Sequence, residues 1–311
     1  MIKYAALLLA ALLSTQAAKA DDVSVGPLHG TFQNANIKGA TPQVLILAGS
    51  GPTDRDGNNP LGVKASSYRL LAEELSKKGI ASTRVDKRGM FASAAGAVDA
   101  NSVFIPQLAA DAHVWVKEIR QSTGAKCVWL AGHSEGGLVA LVAAQDPTDL
   151  CGLILIASPG RPAGDILREQ LKANPANAPL LGDAFSVLQA LESDKAADVS
   201  AMHPALQGLF SPAVQPFWRS MLKIRPAELI RAYQGPILIV QGETDLQVSM
   251  ADALALKDAQ PRAELAKIPN TNHVLKSAPA DRSANFATYA DPTLPISPAV
   301  VSVITDFIVN H

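Results

Sequence analysis

Gly132-His133-Ser134-Glu135-Gly136 places a serine between two glycines, with one residue on either side. A serine hydroxyl is a poor nucleophile alone. It becomes a good one when a histidine takes its proton and a carboxylate orients that histidine. The chemistry implied is acyl transfer: attack on a carbonyl, a covalent acyl-serine, then release by water. The glycines suit it for a steric reason. Such a nucleophile sits on a tight, strained strand-to-helix turn, where flanking side chains collide with the neighbouring strand and helix. A bare G-x-S-x-G is a weak signal, because small residues coincide by chance. Here Cys127 to Leu130 reads as a strand before it and Glu135 to Ala144 as a helix after it. That context points to Ser134 as the nucleophile, at a helix N-terminus whose dipole favours developing negative charge.

For a serine presented in this way, the acid and then the base follow in chain order. Of six histidines, His29 and His113 precede the serine, and His311 ends the chain. His133 lies inside the turn and is expected to point away from the reacting face, and His203 lies in a proline-rich region. His273, in Asn270-Thr271-Asn272-His273, follows the last expected strand in a polar loop. It is the expected base, against the plainer reading of an exposed loop histidine. For the acid, Gly242-Glu243-Thr244-Asp245 follows a strand ending at Val240. Asp245 lies further into the turn and is preferred, with Glu243 as the fallback.

Acyl transfer also needs backbone N–H donors for the oxyanion. The residue after the nucleophile, Glu135, supplies one. The other is expected from Ser50 or Gly51, in the turn Ala48-Gly49-Ser50-Gly51. That turn resembles a phosphate cradle, but no Gly-Lys-Ser/Thr follows, so nucleotide binding is rejected. Asp86 and Arg88, in Asp86-Lys87-Arg88-Gly89, read as loop-pinning residues. No metal spacing is visible, and no cofactor is expected.

These loops need a frame. Val44 to Leu47, Ala81 to Val85, Cys127 to Leu130, Leu153 to Ile156, Pro236 to Val240 and Glu264 to Ile268 read as strands. Helical spacing marks Ser67 to Lys78, the stripe Leu108 to Ile119, Glu135 to Ala144, Met250 to Ala259 and Val300 to Val309. Strands apolar throughout and alternating with helices imply a mainly parallel sheet, covered on both faces. Val23 to Ile37 is more polar and reads as one or two antiparallel edge strands. The stretch 160–234 holds many prolines and no strand-like run. A structureless loop of that length is improbable, so a helical cap inserted between two strands is expected.

Hydrophobic residues are 48% and charged residues 18%, enough for a sizeable core. A formal net charge of −1 leaves no basic excess for nucleic acid or an anionic membrane. Residues 1–20 have the layout of a secretory signal peptide: Lys3, the apolar run Ala5 to Leu13, then Ala18-Lys19-Ala20. The run is too short to anchor in a membrane. Export is expected, with 21–311 as the mature domain. Cys127 and Cys151 each stand seven residues before a strand-end serine. If their strands are parallel neighbours, bridging range is reachable, and the sequence leaves the disulfide open.

Taken together, Ala48 to Asn58 (AGSGPTDRDGN), Asp86-Lys87-Arg88-Gly89, Gly132 to Gly136, Gly242 to Asp245, and Asn272-His273-Val274-Leu275-Lys276 resemble bacterial α/β-hydrolases of the serine-aminopeptidase-like (S33-type) group. The resemblance extends over nearly all of the mature chain. It implies the α/β-hydrolase fold: a mainly parallel eight-stranded sheet flanked by helices, with an inserted helical cap. It also implies no cofactor, and a carboxylesterase acting on a small-molecule ester or amide. Two departures stand out. Ala48-Gly49 replaces the usual His-Gly, and Met90-Phe91-Ala92-Ser93 replaces Gly-x-Ser. A thioesterase or an aminopeptidase uses the same triad. An aminopeptidase also needs a carboxylate for the substrate ammonium, for which Glu135, Asp54 and Asp56 are the candidates. A non-catalytic binding protein needs none of these residues.

Overall fold

The computed structural model describes residues 20–35 and 40–311. The expected signal peptide lies outside the described residues, apart from Ala20. Eight strands form one sheet: β1 (Ala20–Val25), β2 (Leu28–Gln33), β3 (Gln43–Leu47), β4 (Ala81–Val85), β5 (Val128–His133), β6 (Leu150–Ile156), β7 (Ile237–Gly242) and β8 (Glu264–Ile268). Their order is β1-β2-β4-β3-β5-β6-β7-β8. β1 pairs with β2, and β2 with β4, antiparallel; every other pairing is parallel.

Alternation builds the layers. Along β3, Leu45 and Leu47 join one core and Val44 and Ile46 the other. The same switch runs along β5 to β7, so each central strand is buried on both faces. One core takes helices α2 (Ile105–Thr123) and α3 (Glu135–Ala143), together with α8 (Pro226–Ala232) and α9 (Met250–Ala259). The other takes α1 (Ser67–Lys77) and α11 (Pro298–Asn310). In α2, Leu108, Ala112, Trp115, Val116 and Ile119 recur at helical spacing and are all buried. Each large apolar side chain so buried contributes about 1.5–3 kcal/mol. The short helix α10 (Arg282–Ala287) sits beside the loop that follows β8.

Between β6 and β7 lie α4 (Ala163–Lys172), α5 (Leu181–Glu192), α6 (Pro204–Leu209) and α7 (Gln215–Leu222), followed by α8. α4 to α7 share a core of their own around Leu188, Leu191, Leu206 and Phe210. Proline opens α6, α7 and α8 in the first turn, where its missing N–H costs nothing. Arg161 and Gly160 fasten the start of this segment to buried Asp252 of α9.

Cys127 and Cys151 are joined, with their Cα atoms 5.1 Å apart. Cys127 stands just ahead of β5 rather than within it, and the β5–β6 register shifts at Val128/Trp129. For a closed loop of this length, about 3 kcal/mol of chain entropy is removed from the unfolded state.

Candidate active site

Strand β5 runs three residues beyond its expected end, to His133, and Ser134 caps α3. Ser134 adopts φ 53° and ψ −122°, a conformation L-residues avoid, at a cost of order 1–3 kcal/mol. Two backbone bonds hold it there: its N–H donates to the Ile156 carbonyl at 2.9 Å, and its carbonyl accepts from Gly137 at 2.9 Å. Side chains on the flanking residues have no room. A Cβ on Gly132 would strike the Gly136 backbone, and one on Gly136 would strike the Leu47 and Ala48 carbonyls.

Asp245 follows β7, and His273 follows β8. Oδ2 of Asp245 lies 2.8 Å from Nδ1 of His273, with the two side chains 1% and 6% exposed. The carboxylate only accepts, so Nδ1 carries the proton and Nε2 presents a lone pair. Oδ1 of Asp245 accepts from the N–H groups of Gln247 (2.7 Å) and Val248 (3.0 Å). Burial pushes the Asp245 carboxyl up. The charge and hydrogen bond of His273, with the two backbone bonds, outweigh it and hold the carboxyl below its ordinary value. Glu243 is exposed. Asn272 steadies the histidine loop, donating to Asn285 Oδ1 (3.0 Å) and Thr288 Oγ1 (2.7 Å) and accepting from Lys276 N–H (3.1 Å).

Ser134 is linked to the His273 loop through its neighbour. The rings of His133 and His273 stand 4.7 Å apart, and His133 Nε2 donates to the His273 carbonyl at 2.8 Å. Ser134 and His273 share no hydrogen bond among the described residues. Such bonds commonly tighten only around bound substrate.

The backbone N–H groups of Ser50, Gly51 and Glu135 have no acceptor among the described residues. All three residues line a cavity of about 730 Å³ that opens onto Ser134. Part of its apolar wall comes from the segment between β6 and β7 (Ile166, Leu167, Leu209, Phe217, Trp218 and Met221), and part from the sheet side, including Leu61, Met90, Val103 and Leu138. Lys87, Arg88, Gln170 and Gln247 are polar points on its lining.

Asp86 and Arg88 pin loops. Asp86 accepts from the N–H groups of Arg55 (2.9 Å) and Ala92 (3.4 Å), and Arg88 grips Asp111 through two nitrogens. Burial drives the Asp86 carboxyl above its ordinary value against the pull of Arg55. Lys87 carries no functional signal in the sequence, yet its Nζ lies 2.7 Å from the Gly49 carbonyl and 3.5 Å from Glu135. The same holds for Tyr68, whose Oη meets Gly49 N–H at 3.0 Å and His133 Nδ1 at 2.8 Å. No local motif marks either residue. No group of metal-binding residues occurs, and no helix is long and apolar enough to cross a membrane, among the described residues.

Comparison with known proteins bears on the family and the fold. Residues 61–277 match the sequence model of the serine aminopeptidase, S33 family. The chain is 26% identical over 264 residues to esterase EstD of Thermotoga maritima, covering 82% of this chain and 60% of that protein. It therefore spans about 60% of the length of this curated relative. Among solved structures, an esterase of Pyrococcus furiosus superposes with a TM-score of 0.61 at 15% identity, covering 94% of this chain and 91% of that one. Est1E of Butyrivibrio proteoclasticus superposes with a TM-score of 0.56 at 16% identity, covering 93% and 99%. The eight-stranded, mainly parallel sheet is the fold of these neighbours, and with a match over residues 61–277 the chain belongs to the S33 serine aminopeptidase-like family of α/β-hydrolases.

Proposed function

We propose that this protein hydrolyses carboxylic esters through an acyl-enzyme on Ser134, with His273 as base and Asp245 as its orienting acid. Ser134 Oγ attacks the ester carbonyl while His273 Nε2 takes its proton. The oxyanion is held by the N–H of Glu135 and that of Ser50 or Gly51. The C–O bond breaks, His273 returns the proton to the departing alkoxide, and the alcohol leaves. Water then attacks the acyl-serine through His273, and the carboxylic acid is released. The observation that carries this reading is the strained Ser134 opening onto an apolar-walled cavity, with its neighbour His133 bonded to the carbonyl of the Asp245-paired His273. A cavity of about 730 Å³ suits a medium-sized apolar acyl group.

Of the carboxylates considered for a substrate ammonium, Asp54 and Asp56 are engaged, and Glu135 is opposed by the Lys87 charge although its Oε2 is left unbonded among the described residues. Asp54 accepts from Asp56 N–H and Asn58 N–H, and Asp56 pairs with Arg84 at 2.6 Å. This favours an ester over an aminopeptidase substrate. Export belongs to the same proposal. It is supported by the apolar N-terminal run and by a disulfide, which persists in oxidising compartments.

The test is hydrolysis of nitrophenyl esters from acetate to laurate by the native protein and by Ser134→Ala. Native cleavage is expected, and the variant should lose on the order of 10⁴- to 10⁶-fold in turnover. Equal rates in the two proteins would refute the assignment.

A further inference from the structure

We propose that Lys87 is a positioning residue that ties the two halves of the oxyanion hole together. The proposal rests on the ester-hydrolase reading above. The two halves come from distant parts of the chain: Glu135 opens α3, and Ser50 follows β3. β3 and β5 pair as far as Leu47 and Gly132, but no backbone hydrogen bond joins the turns beyond them among the described residues.

Lys87 spans the gap. Its Nζ donates to the Gly49 carbonyl at 2.7 Å and stands 3.5 Å from Glu135 Oε1. The Gly49 carbonyl and the Ser50 N–H belong to one peptide unit. That unit is planar and trans, so its C=O and N–H point in opposite directions. An ammonium gripping the oxygen therefore fixes where the Ser50 N–H aims. Hydrogen bonds polarise one another in series, so the charge on Lys87 also sharpens Ser50 as a donor. This singles out Ser50 over Gly51. The preceding peptide is fixed as well, since Gly49 N–H donates to Tyr68 Oη at 3.0 Å.

On the other side, Glu135 contributes twice. Its backbone N–H is the second oxyanion donor, and its side chain faces the Lys87 ammonium. Both side chains are nearly buried, 9% exposed for Lys87 and 4% for Glu135. Burying a pair of charges is costly unless the geometry rewards it. Here Glu135 Oε2 lacks any hydrogen-bond partner among the described residues, so the pair is poorly optimised for stability. Its position beside Ser134 gives it another use: it sets the distance between the Ser50 and Glu135 amides. Asp86 and Arg88, on either side of Lys87, brace the loop that delivers it.

The test compares native protein, Lys87→Met and Lys87→Met/Glu135→Gln. The double variant leaves no unpaired charge and retains the Glu135 amide. Two readouts are taken: nitrophenyl acetate kinetics, and the rate at which a fluorophosphonate labels Ser134, followed by mass spectrometry. Both transition states place negative charge in the hole. Loss of a whole oxyanion donor costs about 10²–10³-fold, and loss of aim should cost about 10–100-fold. The expected result is that fall in kcat and in labelling rate, with KM within about twofold. The double variant should match Lys87→Met, because both interrupt one chain of contacts. Labelling and kcat in the folded double variant within twofold of native would overturn the proposal. So would a loss confined to KM, which would make Lys87 a substrate-binding group. If native Ser134 itself resists labelling, the nucleophile assignment fails, and this proposal with it.

Discussion

Nε2 of His133 donates to the backbone carbonyl of His273 at 2.8 Å, so the residue before the proposed nucleophile holds the loop that carries the proposed base. A carbonyl only accepts, so Nε2 bears the proton and Nδ1 is left as acceptor for Tyr68 Oη at 2.8 Å. Tyr68 in turn accepts from Gly49 N–H. One buried imidazole thus connects the loops after β3, β5 and β8. The arrangement requires a neutral ring. Burial first, and the neighbouring His273 second, push the His133 pKa down to about 3.

A pH dependence of stability follows. The unfolded value is 6.5 and the folded value about 3. Above pH 6.5 both states carry a neutral ring, and nothing is gained or lost. Below it the unfolded chain takes a proton that the native protein refuses. Stability should therefore fall as pH drops from about 6.5 towards 3, by up to about 1.4 kcal/mol per pH unit. Asp245, with its carboxyl held below the ordinary value, adds its own loss only at lower pH. Urea midpoints at pH 7, 6, 5 and 4 for native protein and His133→Gln check this. The native slope should be the steeper, and parallel curves would remove His133 as the cause.

Asp245→Asn should abolish most activity while leaving the fold intact. Oδ1 accepts two backbone N–H groups, so the amide oxygen of asparagine is held on that side. Its NH₂ then faces His273 Nδ1, which must accept. The proton moves to Nε2, and the ring can no longer act as base. A fall in kcat of about 10³- to 10⁴-fold is expected. Glu243→Gln, at an exposed position, should stay within twofold of native. Should the two results exchange places, Glu243 is the acid.

What the sequence made legible was local. The strands and helices carry their periodicity within ten residues or so, and Ser134, Asp245 and His273 each sit in a short motif at the end of a strand. The pairing of Cys127 with Cys151 was half legible: parallel neighbours bring them close, but the register shift at Val128/Trp129 has no sequence signature. Strand β5 reads short because Gly132 looks like the start of the turn, whereas the ladder continues to His133 opposite Ile156. Tyr68 and His133 were illegible as partners because 65 positions separate them. Lys87 was hidden by its neighbours. Asp86 and Arg88 carry the louder charge pattern, yet they pin loops while the lysine between them turns to the site.

The cavity wall should set the acyl length accepted. Leu209, in α6, is half-buried and borders the cavity among apolar neighbours, with Trp218 Nε1 donating to its carbonyl at 2.9 Å. Its side chain can grow without disturbing that backbone bond. Leu209 packs partly against the cap core and partly lines the cavity, so the added bulk of Leu209→Trp has open volume to enter, which limits the strain of overpacking. The added bulk occupies volume that a long acyl chain would fill. Each methylene that can no longer be buried costs about 0.8 kcal/mol. The ratio of laurate to acetate kcat/KM should therefore drop at least tenfold, with acetate itself nearly unchanged. A proportional loss on both esters would place Leu209 away from the acyl chain, and the wall residues nearer Met221 would then define its path.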